Sequence, residues 1–138
     1  MSFLPIDDEF RQMLQTKELY KQIFNCSVLP IIIHDMYFNI IEVNDKVEEV
    51  FGYSKDEILK LKIFDLHTDN ELENSLEVLE QMNDLDNMTV QTEFKRKDGS
   101  VFRAEASPCK ISLKRHSFIH VHIQNIKDLE EVPADHVE

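Results

Sequence analysis

Six histidines and two cysteines carry most of the chemistry that this chain could perform by itself. His120 and His122 alternate along one face of a β-like run, and with Glu105 on a neighbouring segment they supply the donor types of a zinc site. Residues two apart in an extended strand project the same way, which sets the two imidazoles about 7 Å apart, a wide bite for one tetrahedral ion. No metal is therefore expected. The reading that remains puts both on an outer sheet face, against the N-terminal helix or a second subunit, where protonation makes the contact pH-sensitive. Cys26 and Cys109 lie far apart without a Cys-x-x-Cys spacing. That pattern predicts two reduced, half-buried thiols rather than a disulfide framework or a zinc knuckle.

Catalysis is not expected. The chain has no Ser-His-Asp arrangement with a nucleophile elbow, and it has only two glycines. Gly52 follows a helix and Gly99 sits in a hairpin, so neither is left to build a loop that cradles phosphate. The acidic residues number 27 against 15 basic ones, a formal charge of −12, and mostly form a solvated surface. The same negative field repels nucleic-acid phosphate and anionic membranes.

A length of 138 residues with 42% apolar content suits one domain with its own core. The longest apolar stretch, Val28 to Ile33, contains Pro30 and falls far short of the roughly 20 residues a bilayer span needs. Met1 to Glu9 carries acids where a secretory leader carries basic and then apolar residues, so the chain reads as cytoplasmic and not inserted in a membrane.

The elements follow from periodicity. Phe10, Met13, Leu14, Tyr20, Ile23 and Phe24 recur at helical spacing behind Asp7, Asp8 and Glu9, predicting one amphipathic N-terminal helix that stops near Asn25. Phe3, Leu4 and Leu19 give it apolar residues on more than one flank, consistent with a homodimer seam. The β-branched run Ile31–Ile33 and the pair of Ile40–Ile41 with Val43 predict two short strands, joined by a turn over His34 to Asn39 in which Asp35 and Asn39 are the turn formers, both bonding locally to backbone and Asn39 tolerating a left-handed conformation. Asn44 caps a helix through Val47, Val50 and Phe51 that Gly52 closes, and Ser54 to Glu57 has the form of a capping box. Ile63, Phe64 and Leu66 make a brief apolar turn. Leu72, Leu76, Leu79 and Met82 predict a longer helix from Asp69.

Val90, Thr92 and Phe94 alternate with polar residues, and so do Phe102, Ala104 and Ala106. A two-residue Asp98-Gly99 turn would set Phe94 opposite Arg103, which the hydrophobic pattern forbids. A three-residue loop of Lys97, Asp98 and a left-handed Gly99 instead pairs Phe94 with Phe102, Thr92 with Ala104, Val90 with Ala106 and Glu93 with Arg103. A last strand, Phe118 to Ile126, precedes an acidic tail with a frayed helix start at Asp128. Two strands, a group of short helices and three antiparallel strands make the class α+β.

In order along the chain, Asp35, Asn39-Ile40-Ile41-Glu42-Val43-Asn44, Phe51-Gly52-Tyr53-Ser54, Asp56-Glu57-Ile58-Leu59, Arg96-Lys97-Asp98-Gly99-Ser100 and Gln124-Asn125-Ile126 resemble the PAS sensory-domain family over roughly Leu19 to Lys127. The resemblance implies a five-stranded antiparallel sheet in the order 2-1-5-4-3, with short helices over its concave face and an N-terminal flanking helix. It implies an organisation of flank (1–27), PAS core (28–127) and C-terminal linker (128–138). Asn39 stands where the family usually has a glycine, and Asn125-Ile126-Lys127 stands for its Asp-Ile-Thr signature.

The family often holds a small molecule between sheet and helices. Its flavin photoreceptors need a Cys in an Asn-Cys-Arg-Phe run, absent from Leu61 to Leu66, and its haem sensors a His on the long central helix, absent from Glu71 to Met82. His67 precedes that helix in an expected exposed loop. Haem and covalent flavin are thus disfavoured, and the cofactor is left open. The candidate pocket is Phe51, Ile58, Phe64, Leu66, Leu76, Leu79, Phe94, Phe102, Ala104, Val121 and Ile123, where small Ala104 and Ala106 either leave a cavity or let a helix approach closely. The candidate dimer seam is Phe10, Met13, Leu14, Tyr20, Ile23, Phe24, His120 and His122. The resemblance implies a sensory or regulatory domain of a bacterial signalling protein, answering a small ligand, redox event or partner and acting on an effector such as a histidine kinase or diguanylate cyclase. The alternative is a ligand-free dimerisation module.

Overall fold

Strand alternation in the C-terminal third builds the centre of the molecule. In the computed structural model, which describes residues 8–14, 16–68 and 89–129, β1 (Ile31–Asp35), β2 (Ile40–Val43), β3 (Val90–Lys95), β4 (Val101–Leu113) and β5 (His116–Asp128) form one sheet. The order is β2-β1-β5-β4-β3 and every pairing is antiparallel, as expected. The helix predicted from Asp69, with Leu76 and Leu79, lies outside the described residues.

The β3–β4 hairpin has the expected register: Phe94 faces Phe102, Thr92 faces Ala104, Val90 faces Ala106 and Glu93 faces Arg103. Gly99 takes φ 90° and donates its N–H to the Arg96 carbonyl at 2.9 Å, closing the three-residue loop. On the outer face the Arg103 guanidinium reaches Glu93 at 3.0 Å. β4 continues to Leu113, well past the predicted alternation, and turns through Lys114 and Arg115 into β5. At Pro108 β4 pairs, among the described residues, with β5 alone, since β3 begins at Val90, opposite Ala106, and a strand edge tolerates proline. β5 runs on through Asp128, where a frayed helix was expected. Asn125, at φ 53°, marks a bulge where the β4–β5 register shifts between Arg103 and Glu105, and the Glu105 carboxylate accepts a hydrogen bond from its Nδ2 at 2.7 Å.

The predicted N-terminal helix is two helices. α1 (Asp8–Leu14) ends before Thr16, whose extended backbone and hydroxyl, accepting from Leu19 N at 3.2 Å, start α2 (Lys17–Cys26) afresh. A local cap outcompetes helix continuation at this threonine. α3 (Asp45–Phe51) and α4 (Lys55–Ile58) have the expected caps. Asn44 accepts from Val47 N, Gly52 at φ 81° closes α3, and Ser54 with Glu57 completes the capping box. A 3-10 turn, Ile63–Leu66, follows.

Asp35 and Asn39 form the β1–β2 turn, as expected, but the left-handed conformation that Asn39 would tolerate is held by Phe38, at φ 72°. Asp35 explains it. Its Oδ1 accepts from the backbone of both Tyr37 and Asn39 at 2.9 Å, and its Oδ2 from Asn39 Nδ2 at 3.1 Å, which holds Asn39 in place and leaves the reversal to Phe38. The Phe38 ring packs on Phe64 at 4.6 Å and its carbonyl accepts from Ile63 N, contacts that offset the cost of the backbone.

Candidate ligand face

The two faces of the sheet differ in what covers them. β1 is buried on both, so its isoleucines need not alternate with polar residues: Ile32 points to the concave side, while Ile31 and Ile33 join Phe24 of α2 and Phe118 on the outer side. On the concave side Phe51, Ile58, Leu66, Phe94, Phe102, Ala104, Val121 and Ile123 form one core, with Phe64 and Ala106 packed against it. These are the candidate pocket residues, apart from Leu76 and Leu79, which lie outside the described residues. The rings of Phe51, Phe94 and Phe102 contact one another at 5.2 to 5.5 Å and fill the space above β3 and β4.

Two histidines enter this hydrocarbon core. His34 is 1% exposed and lies within β1, not in the turn expected for it. His67 is 8% exposed, so the expectation of an exposed loop histidine is corrected. Its backbone bridges to Phe94 of β3, its ring stacks on the Phe94 ring at 4.6 Å, and its Nδ1 shares a 3.2 Å hydrogen bond with the Thr92 hydroxyl. Burial pushes the His67 imidazole down to about 4, opposed by the Glu93 backbone and reinforced by His34. His34 is lowered too, chiefly by burial. Both rings are therefore neutral at pH 7. For His34 a signal was legible, since it follows Ile32 by two and shares its face. For His67 only the long-range bridge to β3 reveals the burial.

The outer face holds His120 and His122, as expected, with ring centroids 4.4 Å apart rather than the predicted 7 Å. Rotamers that lean the rings together, edge to face, shorten the strand spacing. Glu105 engages Gln124 and Asn125, and no group of three metal-ligating side chains occurs among the described residues. The two histidines border a groove of about 590 Å³ between α2 and the sheet, lined also by Tyr20, Ile23, Phe24 and Ile111. Phe24 is buried within its own chain, whereas Tyr20 is 51% and Ile23 63% exposed. The side chains of Phe10, Met13 and Leu14 are outside what the structure describes. Cys26 is exposed rather than half-buried, and Cys109 is half-buried.

The sheet has the order 2-1-5-4-3 with α3, α4 and a 3-10 turn on its concave side, and the sequence of residues 28–130 matches the family model described as PAS domain. The chain belongs to the PAS domain family. Among solved structures it is similar to the PAS domain of a two-component sensor histidine kinase, at 20% identity and TM-score 0.68, covering 78% of this chain and 93% of that one. It is similar to the PAS domain of an HTR-like protein from Haloarcula marismortui, at 19% identity and TM-score 0.71, covering 88% and 98%. A domain of a sensory box sensor histidine kinase/response regulator from Geobacter sulfurreducens matches at 17% identity and TM-score 0.63, covering 84% and 96%. Among curated proteins none matches by sequence. In this PAS domain no helix among the described residues is long and apolar enough to cross a membrane.

Proposed function

We propose that this PAS domain is the sensory or regulatory part of a cytoplasmic bacterial signalling protein, with no catalytic activity of its own. It answers a small ligand, redox event or partner at its concave face. The observation that carries this reading is the pair of neutral, buried imidazoles, His34 and His67, set with Thr92 among aromatic rings in an otherwise apolar core. Convergent polar groups in an apolar recess are what a binding face needs to orient a ligand.

Coupling would run through β1 and β5, which touch both layers. Val121 and Ile123 face the concave core, while His120 and His122 face the groove beside α2. A shift on one side therefore reaches the other through a single strand. Exposed Tyr20 and Ile23 beside the two histidines suit a homodimer seam, whose geometry would pass the change to an effector. Sensor histidine kinases among the similar structures favour a kinase effector over a diguanylate cyclase.

Native mass spectrometry of the purified full chain tests this. A retained non-protein mass, or ligand-dependent change in the dimer fraction, is the expected result. A bare dimer indifferent to small molecules would support the alternative, a ligand-free interaction module, which the close packing of Phe51, Phe94 and Phe102 favours.

A further inference from the structure

The wide spacing that spoke against an ion on the outer face is not the spacing of the folded strand. Two imidazoles on one tetrahedral zinc, each at a Zn–N distance of about 2.0–2.1 Å, stand about 5 Å apart from ring centre to ring centre. The rings of His120 and His122 stand 4.4 Å apart, edge to face. A small opening of the pair therefore lets both close on a single ion. Each residue is half-buried and borders the groove of about 590 Å³ beside α2, from which an ion can enter.

A third donor stands across the β4–β5 pair. The register sets Cys109 directly opposite His120. Opposed residues of an antiparallel pair share a face, with Cβ atoms about 4.5–5.5 Å apart, near enough for both side chains to reach one ion. Alternation along β4 agrees. Ala106 and Pro108 oppose Ile123 and Val121 of the concave core, which turns Ser107, Cys109 and Ile111 to the outer side. The Cys109 thiol is free and half-buried, and its sulfur lies 3.9 Å from the Lys110 carbonyl, a weak contact. In these rotamers the three donors do not converge, so the site needs the sulfur to turn about its Cα–Cβ bond toward the two rings.

The donor types select the ion. Two neutral imidazoles and a thiolate suit a borderline-soft ion such as Zn2+, whereas Ca2+ and Mg2+ take oxygen ligands, and Glu105 is engaged with Gln124 and Asn125.

We propose that His120, His122 and Cys109 form a binding site on the outer sheet face for a borderline-soft divalent transition-metal ion of the Zn2+ class, with water in the fourth position. Binding forms two metal–nitrogen bonds and one metal–sulfur bond, and the thiol proton leaves to solvent as the sulfur ligates. No electron is transferred. The site lies across the sheet from the concave core and goes beyond the sensory reading, which its failure leaves untouched.

The test uses the full chain without an affinity tag, its thiols kept reduced, titrated with Co2+ and then with Zn2+. One Co2+ per chain is expected, with the intense d–d bands of a four-coordinate ion and a thiolate-to-cobalt charge-transfer band, all erased by one equivalent of Zn2+. Cys109→Ser should abolish the charge-transfer band. His120→Gln and His122→Gln should each weaken Zn2+ binding at least about tenfold, the cost of losing even an outer-shell partner, while His116→Gln at the start of β5 leaves it unchanged. Acidic side chains on a chain of charge −12 attract such ions loosely, so Zn2+ uptake that survives both His120→Gln and His122→Gln would overturn the proposal. A cobalt complex with no thiolate band would overturn it as well. Where a variant does not fold, the wild-type chain with 15N-labelled histidine decides: Zn2+ must move the ring nitrogen signals of His120 and His122, and shifts confined to other histidines sink the site.

Discussion

The imidazole of His67 lies face to face on the ring of Phe94, with centroids 4.6 Å apart and 29° between the planes, and closes the 3-10 turn onto β3. A neutral ring fits this place and a charged one does not. The histidine is thus a latent point of acid sensitivity in the core.

Burial holds the folded His67 imidazole down at about 4, against the ordinary 6.5 of the unfolded chain. Below pH 6.5 the unfolded chain takes up a proton that the folded chain refuses, so stability falls as pH drops toward 4 and levels off beneath it. The expected loss from this group is roughly 3 kcal/mol. Urea unfolding from pH 7.5 to 4 should show a steeper fall in stability than in His67→Gln, which keeps the contributions of His34 and the carboxylates. Equal slopes would rule the effect out.

Asn44 ties three segments together from a fully buried position. Its Oδ1 accepts from Ile31 N at 3.0 Å and Val47 N at 3.3 Å, and its Nδ2 donates to the carbonyls of Phe24 and Leu29. Asn44→Asp keeps the shape and the cap but turns a carboxylate oxygen toward two carbonyls. We expect a loss of about 2 kcal/mol or more at neutral pH, partly restored when acidification protonates the new acid. Chemical denaturation at pH 7 and pH 4.5 would show whether the penalty shrinks, after correction for the His67 slope.

Phe102 is fully buried between Phe51 and Phe94, with the Arg96 guanidinium 4.6 Å over its ring. Phe102→Ala should cost about 3–5 kcal/mol through the cavity it leaves. Exposed Ile41→Ala should stay within about 0.5 kcal/mol. Similar melting losses in the two variants would mean the core is not centred on these rings.

At Gly99 a Cβ would meet nothing within 4 Å, so Gly99→Ala isolates the backbone effect of φ 90°. The expected cost is about 1–2 kcal/mol. Thermal unfolding measures it. A neutral result would show that the hairpin loop can relax out of the left-handed conformation.

Exposed Ile23 borders the outer groove and makes no part of the buried core. Ile23→Glu should weaken self-association at least tenfold in sedimentation equilibrium and leave the unfolding free energy of the monomer within about 0.5 kcal/mol. Unchanged association would move the dimer seam elsewhere.

Much of this domain is written locally. Period-two alternation and the refusal of Phe94 to face Arg103 determine the β3–β4 register, because a slip of one residue would turn every apolar side chain to water. The caps at Asn44, Gly52 and Ser54 are equally local, since each cap bond joins residues three or four apart. The break at Thr16 is also a short-range bond, but there the apolar spacing runs through it and hides it.

The functional face is a different matter. The apolar members of the concave core follow from alternation and helical spacing, but the burial of His34 and His67 depends on partners far along the chain. His34 sits opposite Ile119 of β5, and His67 against Thr92 and Phe94 of β3. A histidine beside polar residues looks alike in water and in a core until its distant neighbours are placed. The spacing from Ile32 marks the face of His34, but tertiary structure alone decided where His67 lies and that burial favours the uncharged form of both rings, because desolvation is a property of everything packed around a group and not of the residues next to it in the chain.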